Sequence, residues 1–177
     1  MAKDRFPMGI HYELKKADRI IRALGPRAHQ ELVALCRIIQ AHQDDLNTAA
    51  APLFDACGNR CKGLCCQNIH PDQIISSTDL VFILASNPTI REELVHRASD
   101  ECFFSSRCPF LINSRGPCLF SSNQKPLTCI VTFCQGTGSV QGEIKRLRSD
   151  FQKLSRFLFF ARLEGWGRRI KKAFGSR

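Results

Sequence analysis

The sequence lacks several features that define large classes of proteins. No stretch approaches the roughly 20 consecutive apolar residues that a membrane-spanning helix needs, so we expect no transmembrane segment. The residues from Met1 to Pro7 lack the apolar run of a secretory signal. We therefore expect a cytoplasmic protein, in which thiols stay reduced and bind metal rather than form disulfides.

Familiar catalytic motifs are also missing. The segment Gly136-Thr137-Gly138 has neither the lysine nor the strand–helix context of a phosphate-binding loop, and the sequence contains no H-E-x-x-H zinc motif. We find no internal repeat and no low-complexity tract. The sequence therefore leaves open whether the protein is an enzyme, and any catalysis would have to be carried by a bound metal centre.

Cysteine, by contrast, is abundant, and eight of the 10 cysteines fall into two groups. Thiolates three or four residues apart can converge on one point, and free thiols oxidise unless something binds them. We therefore interpret all eight as candidate metal ligands and expect the two groups to meet in space. The groups are Cys57-x3-Cys61-x3-Cys65-Cys66 and Cys108-x9-Cys118-x10-Cys129-x4-Cys134.

Three kinds of cysteine site remain open. A disulfide scaffold is the least favoured, because no export signal is present. Structural zinc fits the spacings Cys57-x3-Cys61 and Cys129-x4-Cys134, which are those of metal-binding knuckles. An iron–sulfur cluster needs four thiolates and accepts irregular spacing, so it fits the double cysteine and the long gaps better. We favour iron–sulfur, with zinc as the alternative, and the spacing does not tell which four cysteines bind one centre.

The arrangement resembles the zinc- or iron-chelating cysteine-cluster (CxxCxxxCC) family, which includes the flagellin lysine N-methylases. The similarity covers residues 57–134. In this chain the first spacing is x3 rather than x2, and Lys125, Phe120 and Ile130 stand where the family has Arg, Tyr and Arg. The resemblance implies a 4Fe–4S cluster or zinc, with redox or S-adenosylmethionine-dependent methyl-transfer chemistry. The segments that carry the resemblance are the double cysteine, Cys108-Pro109-Phe110-Leu111, Gly116-Pro117-Cys118, Lys125-Pro126-Leu127-Thr128-Cys129 and Phe133-Cys134.

The remaining candidate residues have simpler interpretations. Cys36 lies on an apolar helix face and is predicted to be a core residue. His70 is predicted to be a surface loop residue, with a metal ligand or proton carrier as the alternative. Asp79 is predicted to be a charge in the first turn of a helix. The other histidines are predicted to be solvated: His11, His29, His42 and His96.

The pattern of apolar residues predicts a mainly α fold, with helices surrounding an irregular cysteine-rich metal-binding region and little or no sheet. We expect N-terminal helices in residues 1–56, the cysteine-cluster core in 57–138 and a C-terminal amphipathic helix with a basic tail in 139–177, together forming one compact domain.

Individual elements follow from local signals. We predict helices over 12–24, from Pro26, from Ser77 to Asn87, and from Ile90 to about Ala98 after a Thr89/Glu92 capping box. The segments 118–120 and 129–131 are predicted to pair as a small hairpin around Asn123. From Val140 a helical stripe returns, which Gly165 is predicted to end. The stripe consists of Ile144, Leu147, Phe151, Leu154 and Leu158.

The net charge of +10 is concentrated at one end of the chain. The segment from Glu143 to Arg177 holds 11 basic and 3 acidic residues, whereas the rest of the chain is nearly neutral. A solvated basic tail is the default interpretation; its alternative is a surface for an anionic partner, nucleic acid or membrane. A zinc-stabilised, non-enzymatic module that binds protein or nucleic acid through this segment is therefore the alternative function.

Overall fold

The computed structural model describes the backbone of residues 9–56, 64–69, 71–99, 108–112, 117–133 and 136–174. Helices account for most of these residues. The described part contains no β-strand, only one isolated bridge between Leu111 and Cys118. The predicted mainly α fold is therefore confirmed. In chain order the α-helices are α1 (Ile10–Ala23), α2 (Pro26–Ala49), α3 (Ala51–Ala56), α4 (Pro71–Ile74), α5 (Ser77–Ser86), α6 (Arg91–Ser99), α7 (Leu127–Val131) and α8 (Gln141–Phe174), with short 3-10 turns at Cys65–Gln67, Pro88–Ile90 and Gly138–Val140.

The boundaries of the first helices follow from proline and glycine. Pro26 is the first residue of α2, where its missing N–H costs nothing because that position has no intrahelical acceptor. The helix ends at Ala49, and α3 begins at Ala51 with Pro52 in its first turn. A proline is tolerated there because the N–H groups of the first turn have no intrahelical acceptor. Cys36 is buried within α2, as predicted, and burial raises the pKa of its thiol to about 12.

Helix α5 is the centre of the hydrophobic core. Five successive residues of this helix are buried, so it is covered on all sides rather than along one stripe. Helices α1, α2 and α8 all pack against it. Residues from the N-terminal, middle and C-terminal parts of the chain thus contribute to one hydrophobic cluster. The five residues are Leu80, Val81, Phe82, Ile83 and Leu84.

Helix α8 packs along α2 through the predicted apolar stripe, all of which is buried. Its predicted end at Gly165 is wrong, because the helix continues to Phe174. Gly165 and Gly167 each cost only about 1 kcal/mol relative to alanine. Good helix-forming residues before and after this pair, such as Leu163 and Lys171, therefore carry the helix through it.

Two further local predictions are wrong. Residues 127–131 form helix α7 rather than a strand, and Cys118 pairs with Leu111 instead, so the hairpin around Asn123 does not form. The capping box at Thr89 is also absent: its hydroxyl donates to the Asn87 side chain at 2.6 Å, and a 3-10 turn precedes α6.

No helix in the described part of the chain combines the length and the apolar character needed to cross a bilayer, in agreement with the sequence-based expectation.

The first prediction concerns the contact between α8 and the core. Leu154 is fully buried, so Leu154→Ala should lower the free energy of unfolding by roughly 2–5 kcal/mol through lost burial and a residual cavity. Leu163 on the same helix is 48% exposed, and Leu163→Ala should change stability by less than about 0.5 kcal/mol. Urea unfolding followed by circular dichroism measures both, and equal effects would contradict the packing described.

Candidate cysteine metal centre

The structure describes five of the eight candidate ligands: Cys65 and Cys66 from the first group, and Cys108, Cys118 and Cys129 from the second. These five come together, so the expectation that the two groups meet is confirmed for the described residues. Cys57, Cys61 and Cys134 lie outside the described residues, as do Cys102 and His70.

A backbone hydrogen bond joins the two groups directly. The N–H of Cys108 donates to the carbonyl of Cys66 at 2.9 Å, across 41 intervening residues. The double cysteine itself lies in a 3-10 turn whose ends are held by Leu64 and Asn68, since the Asn68 side chain donates to the Leu64 carbonyl at 3.0 Å. Cys66 and Cys108 are therefore neighbours in space.

Cys108 and Cys118 lie at the two ends of a loop with paired backbone. The N–H of Leu119 donates to the Phe110 carbonyl at 2.8 Å, next to the Leu111–Cys118 bridge. Phe110 and Phe120 are both buried beneath this loop, with ring centroids 4.9 Å apart. These contacts place Cys118 on the same side of the core as Cys108.

Arg97 of helix α6 forms hydrogen bonds to the same loop. Its guanidinium Nη1 donates to the carbonyls of Pro109 and Leu111, at 3.3 and 3.1 Å. Arginine suits this task because its planar group presents several donors in a fixed geometry. The turn after Cys108 is thus fixed by a side chain from a different helix.

Cys129 lies in the first turn of α7, and Asp79 fixes the start of that helix. The N–H of Leu127 donates to Asp79 Oδ1 at 2.8 Å, and the N–H of Ser76 donates to Asp79 Oδ2 at 2.9 Å. One buried carboxylate therefore caps two helices, α5 and α7. Asp79 does lie in the first turn of a helix, as predicted, but its bond to Leu127 gives it a second role.

Gln43 of helix α2 holds the segment that precedes α7. Its side-chain Nε2 donates to the Lys125 carbonyl at 2.8 Å, and its Oε1 accepts from the Lys125 N–H at 3.1 Å. Gln43 is fully buried, and these two bonds give both the nitrogen and the oxygen of its amide a partner in the interior. One turn along α2, Asn47 donates to the Ser122 carbonyl at 3.0 Å.

The charge interactions of the thiols agree with their proximity. Burial, followed by the negative charges of Cys65, Cys108 and Cys118, raises the pKa of Cys66 to about 12. Burial also raises the pKa of Cys129 far above its usual range, and charge on Cys108, Cys118 and Cys66 acts in the same direction. Since Coulomb energies fall with distance, sulfurs that affect one another in this way lie near each other.

The environment of Cys118 differs from that of its neighbours. Burial raises the pKa of its thiol, but a backbone hydrogen bond at Phe120 and the positive charge of Lys125 oppose the increase. Lys125 in turn lies over the Phe54 ring, with Nζ 5.4 Å from its centroid. Its ammonium therefore supplies positive charge at the edge of the cluster, which favours the thiolate form of Cys118.

The thiols of the described residues are gathered but not arranged around one point. Among these residues, no group of three or more His, Cys, Asp or Glu side chains is placed to hold a metal ion. Burial raises the pKa of Cys66 and of Cys129 and so disfavours the thiolate form of both.

Two of the histidines predicted to be solvated are not. His11 is half-buried, and its buried Nδ1 has no hydrogen-bond partner among the described residues. His42 lies beside a buried acid. His42 Nδ1 lies 2.6 Å from Asp150 Oδ2, and Lys153 donates to Oδ1 of the same buried carboxylate at 2.8 Å. Burial raises the pKa of Asp150, but the hydrogen bonds from Lys153 and His42 outweigh it and hold the pKa below its usual value. This pair joins α2 to α8. His29 and His96 are exposed, as predicted.

The supporting residues Arg97, Gln43 and Asp79 were not predicted to contribute to the site. Only Asp79 had a local signal, its place after Ser76 at a helix start, and that signal points to a cap rather than to α7. The contacts of Arg97 and Gln43 are made with residues 12 and 82 positions away. No periodicity or spacing reports contacts of this kind.

Comparisons of the chain with family models, with curated proteins and with solved structures give no match. The resemblance in the cysteine spacing stays a prediction.

The second prediction separates the two roles of Asp79. Ser76→Ala removes the hydroxyl that caps α5 and that donates to Asp79 Oδ2, but leaves the Asp79–Leu127 bond in place, and should cost about 1 kcal/mol of stability. Asp79→Ala also leaves the Leu127 N–H without its acceptor, so the cost should reach roughly 2–4 kcal/mol. Cys129 should then react faster with iodoacetamide, measured by mass spectrometry. If Cys129 reacts equally fast in both variants, Asp79 does not fix α7.

Proposed function

We propose that this protein binds a metal centre through the thiolates of its two cysteine groups, and that this centre is an iron–sulfur cluster. The observation that carries the proposal is the meeting of the two groups. Cys66 and Cys108 are joined by a backbone hydrogen bond, Cys118 interacts electrostatically with Cys66, and Cys129 interacts with Cys66, Cys108 and Cys118. Four thiols from separate loops in one partly buried region match the donor number of one cluster or one zinc ion.

The electrostatics of the cluster support a cationic occupant. Protonated thiols do not stabilise one another by lying close together. Thiolates at the same separation repel one another. A bound metal centre supplies the positive charge that favours deprotonation of all its ligands at once. Cys66, Cys108, Cys118 and Cys129 are the described residues that would hold it, with Lys125 favouring the anionic form at Cys118.

The choice of iron–sulfur over zinc is supported by the structural elements that carry the cysteines. Zinc knuckles place two cysteines on one tight hairpin, and two such hairpins face each other. Here the four described thiols come from a 3-10 turn, the two ends of a loop and a short helix. Iron–sulfur clusters accept such irregular sources of ligands. The redox or methyl-transfer chemistry that the resemblance implies, and the cytoplasmic location that keeps the thiols reduced, belong to the same proposal.

The third prediction tests the centre itself. Protein purified without oxygen should be brown, with broad visible absorbance and bound iron and sulfide by elemental analysis. Cys66→Ser, Cys118→Ser and Cys129→Ser should each lose most of the bound metal, because each removes one ligand. Cys36→Ala is the matched control, since Cys36 is buried in α2 away from the cluster, and it should keep the metal. Binding should tighten as pH rises, because thiolate ligands must lose protons.

The same preparation shows whether the centre stabilises the fold. Removal of the metal should expose residues 102–138 to limited proteolysis while the flanking helices resist, since metal binding adds to folding free energy. A colourless protein containing zinc would select the alternative metal. A protein that binds neither metal, or three serine variants that retain it, would refute the metal-centre proposal.

The alternative function is a zinc-stabilised module that binds an anionic partner through its C-terminal segment. The observation that favours it is the length of α8, which runs to Phe174 and carries most of the chain's excess positive charge. Phe159, Phe160 and Leu163 are exposed on the same helix. Aromatic and basic residues together on one exposed helix suit nucleic acid or an anionic membrane surface.

The fourth prediction tests that alternative. Deletion of residues 168–177 removes five basic residues and should leave the unfolding midpoint almost unchanged, because the predicted apolar stripe, which is buried, ends at Leu158. Binding to a nucleic acid duplex or to anionic vesicles should weaken, and the wild-type binding should fall with added salt. A large loss of stability would make the tail structural and remove the main support for the partner.

A further inference from the structure

Helices α1 and α8 border an open cleft that lies apart from the cysteine region. Its volume is about 540 Å³. Lys16, Arg19 and Arg22 line it from α1, and Arg162 lines it from α8. Because they lie three positions apart on α1, the first three are neighbours on one helix face. The cleft therefore brings four cationic side chains around one volume.

Little negative charge compensates these cations. Lys16 contacts Glu13 at 3.4 Å, but the same Glu13 oxygen also accepts the Ser77 N–H at 2.9 Å. Arg19, Arg22 and Arg162 make no ion pair with any residue that the structure describes. No acidic side chain belongs to the described lining of the cleft.

The other acid of α1 is also engaged elsewhere. Asp18 pairs with Arg91 of the neighbouring helix at 3.0 Å. Like charges at i and i+3 destabilise a helix, so α1 carries a repulsion that only the Lys16–Glu13 contact partly relieves. An anion bound among the four cations would relieve it.

The remaining lining gives the cleft an apolar side. Tyr12 contributes an aromatic ring, and Ile20 and Ala23 contribute aliphatic surface. Arginine binds phosphate oxygens through a planar, two-pronged donor set, whereas an aromatic ring accepts the flat face of a base or a similar group. Side chains suited to phosphate and side chains suited to a flat apolar group therefore line the same cleft.

We propose that this cleft binds a small molecule carrying two or more phosphate groups, of the nucleoside di- or triphosphate class. Four cations around one volume match a compact polyanion, whereas a polymer backbone would need cations spread along a track. The proposal is independent of the cysteine centre, since no cysteine lines the cleft among the described residues. A failure of either proposal leaves the other intact.

Isothermal titration calorimetry of the full chain tests this with ATP, inorganic tripolyphosphate and AMP. ATP and tripolyphosphate should bind with one-to-one stoichiometry, AMP far more weakly, and affinity should fall between low and physiological salt. The Arg19→Ala/Arg22→Ala double variant should weaken ATP binding by roughly tenfold, and Arg162→Ala by about two- to fivefold, as expected for exposed charge pairs. Stronger binding of ATP than of tripolyphosphate would assign Tyr12 and the apolar side to the base.

Matched controls remove one charge from the same helices outside the cleft. Lys15→Ala on α1 and Arg156→Ala on α8 are exposed and should keep ATP affinity within about twofold of wild type, because distant exposed charges are screened. All the substituted positions are on the surface. Lys16, which is less exposed, is left unchanged. Circular dichroism verifies the fold of each variant. Equal losses in controls and cleft variants would overturn the proposal. So would the absence of ATP and tripolyphosphate binding, or binding only of an oligonucleotide or of anionic vesicles.

Discussion

The buried carboxylate of Asp79 connects the hydrophobic core to the cysteine-rich half of the molecule. One of its oxygens holds the start of α5, the helix that is covered on all sides, and the other holds the start of α7, which carries Cys129. A buried charge is costly unless hydrogen bonds compensate it, and backbone N–H groups from two helix starts do so here. The position of one candidate ligand is therefore set by the helix at the centre of the hydrophobic core.

Much of the helical fold could be predicted because periodicity and chain breakers are local signals. The buried stripe from Ile144 to Leu158 and the start at Pro26 are examples. The errors arose where a local signal is ambiguous. A run of five residues such as 127–131 is too short for its apolar pattern to distinguish helix from strand, and the deciding contact comes from Asp79, 48 residues earlier. Gly165 failed as a stop signal because its cost is smaller than the cooperative gain of continuing a long helix.

The candidate site could likewise be predicted only where it depends on residues close together in the chain. The two cysteine groups could be recognised from spacing, and their approach follows from the chemistry that eight thiols imply. Their geometry could not be predicted, because Arg97 and Gln43 fix the loops through bonds to main-chain groups. Such bonds depend on where the backbone passes and not on which side chains it carries. The His42–Asp150 pair escaped prediction for a related reason, since it joins residues 108 positions apart on two helices.

The pairing of Gln43 with Lys125 also affects how the protein behaves among copies of itself. A stretch of chain with open N–H and C=O groups resembles the edge of a sheet, and another chain can extend it by adding a strand. At Lys125 both groups are already taken by the Gln43 amide, and at Ser122 the carbonyl is taken by Asn47. The side chains of α2 thus occupy the positions that an incoming strand would need. These bonds hinder the addition of a strand to this irregular segment, as bulges and charges do at the sheet edges of β-proteins.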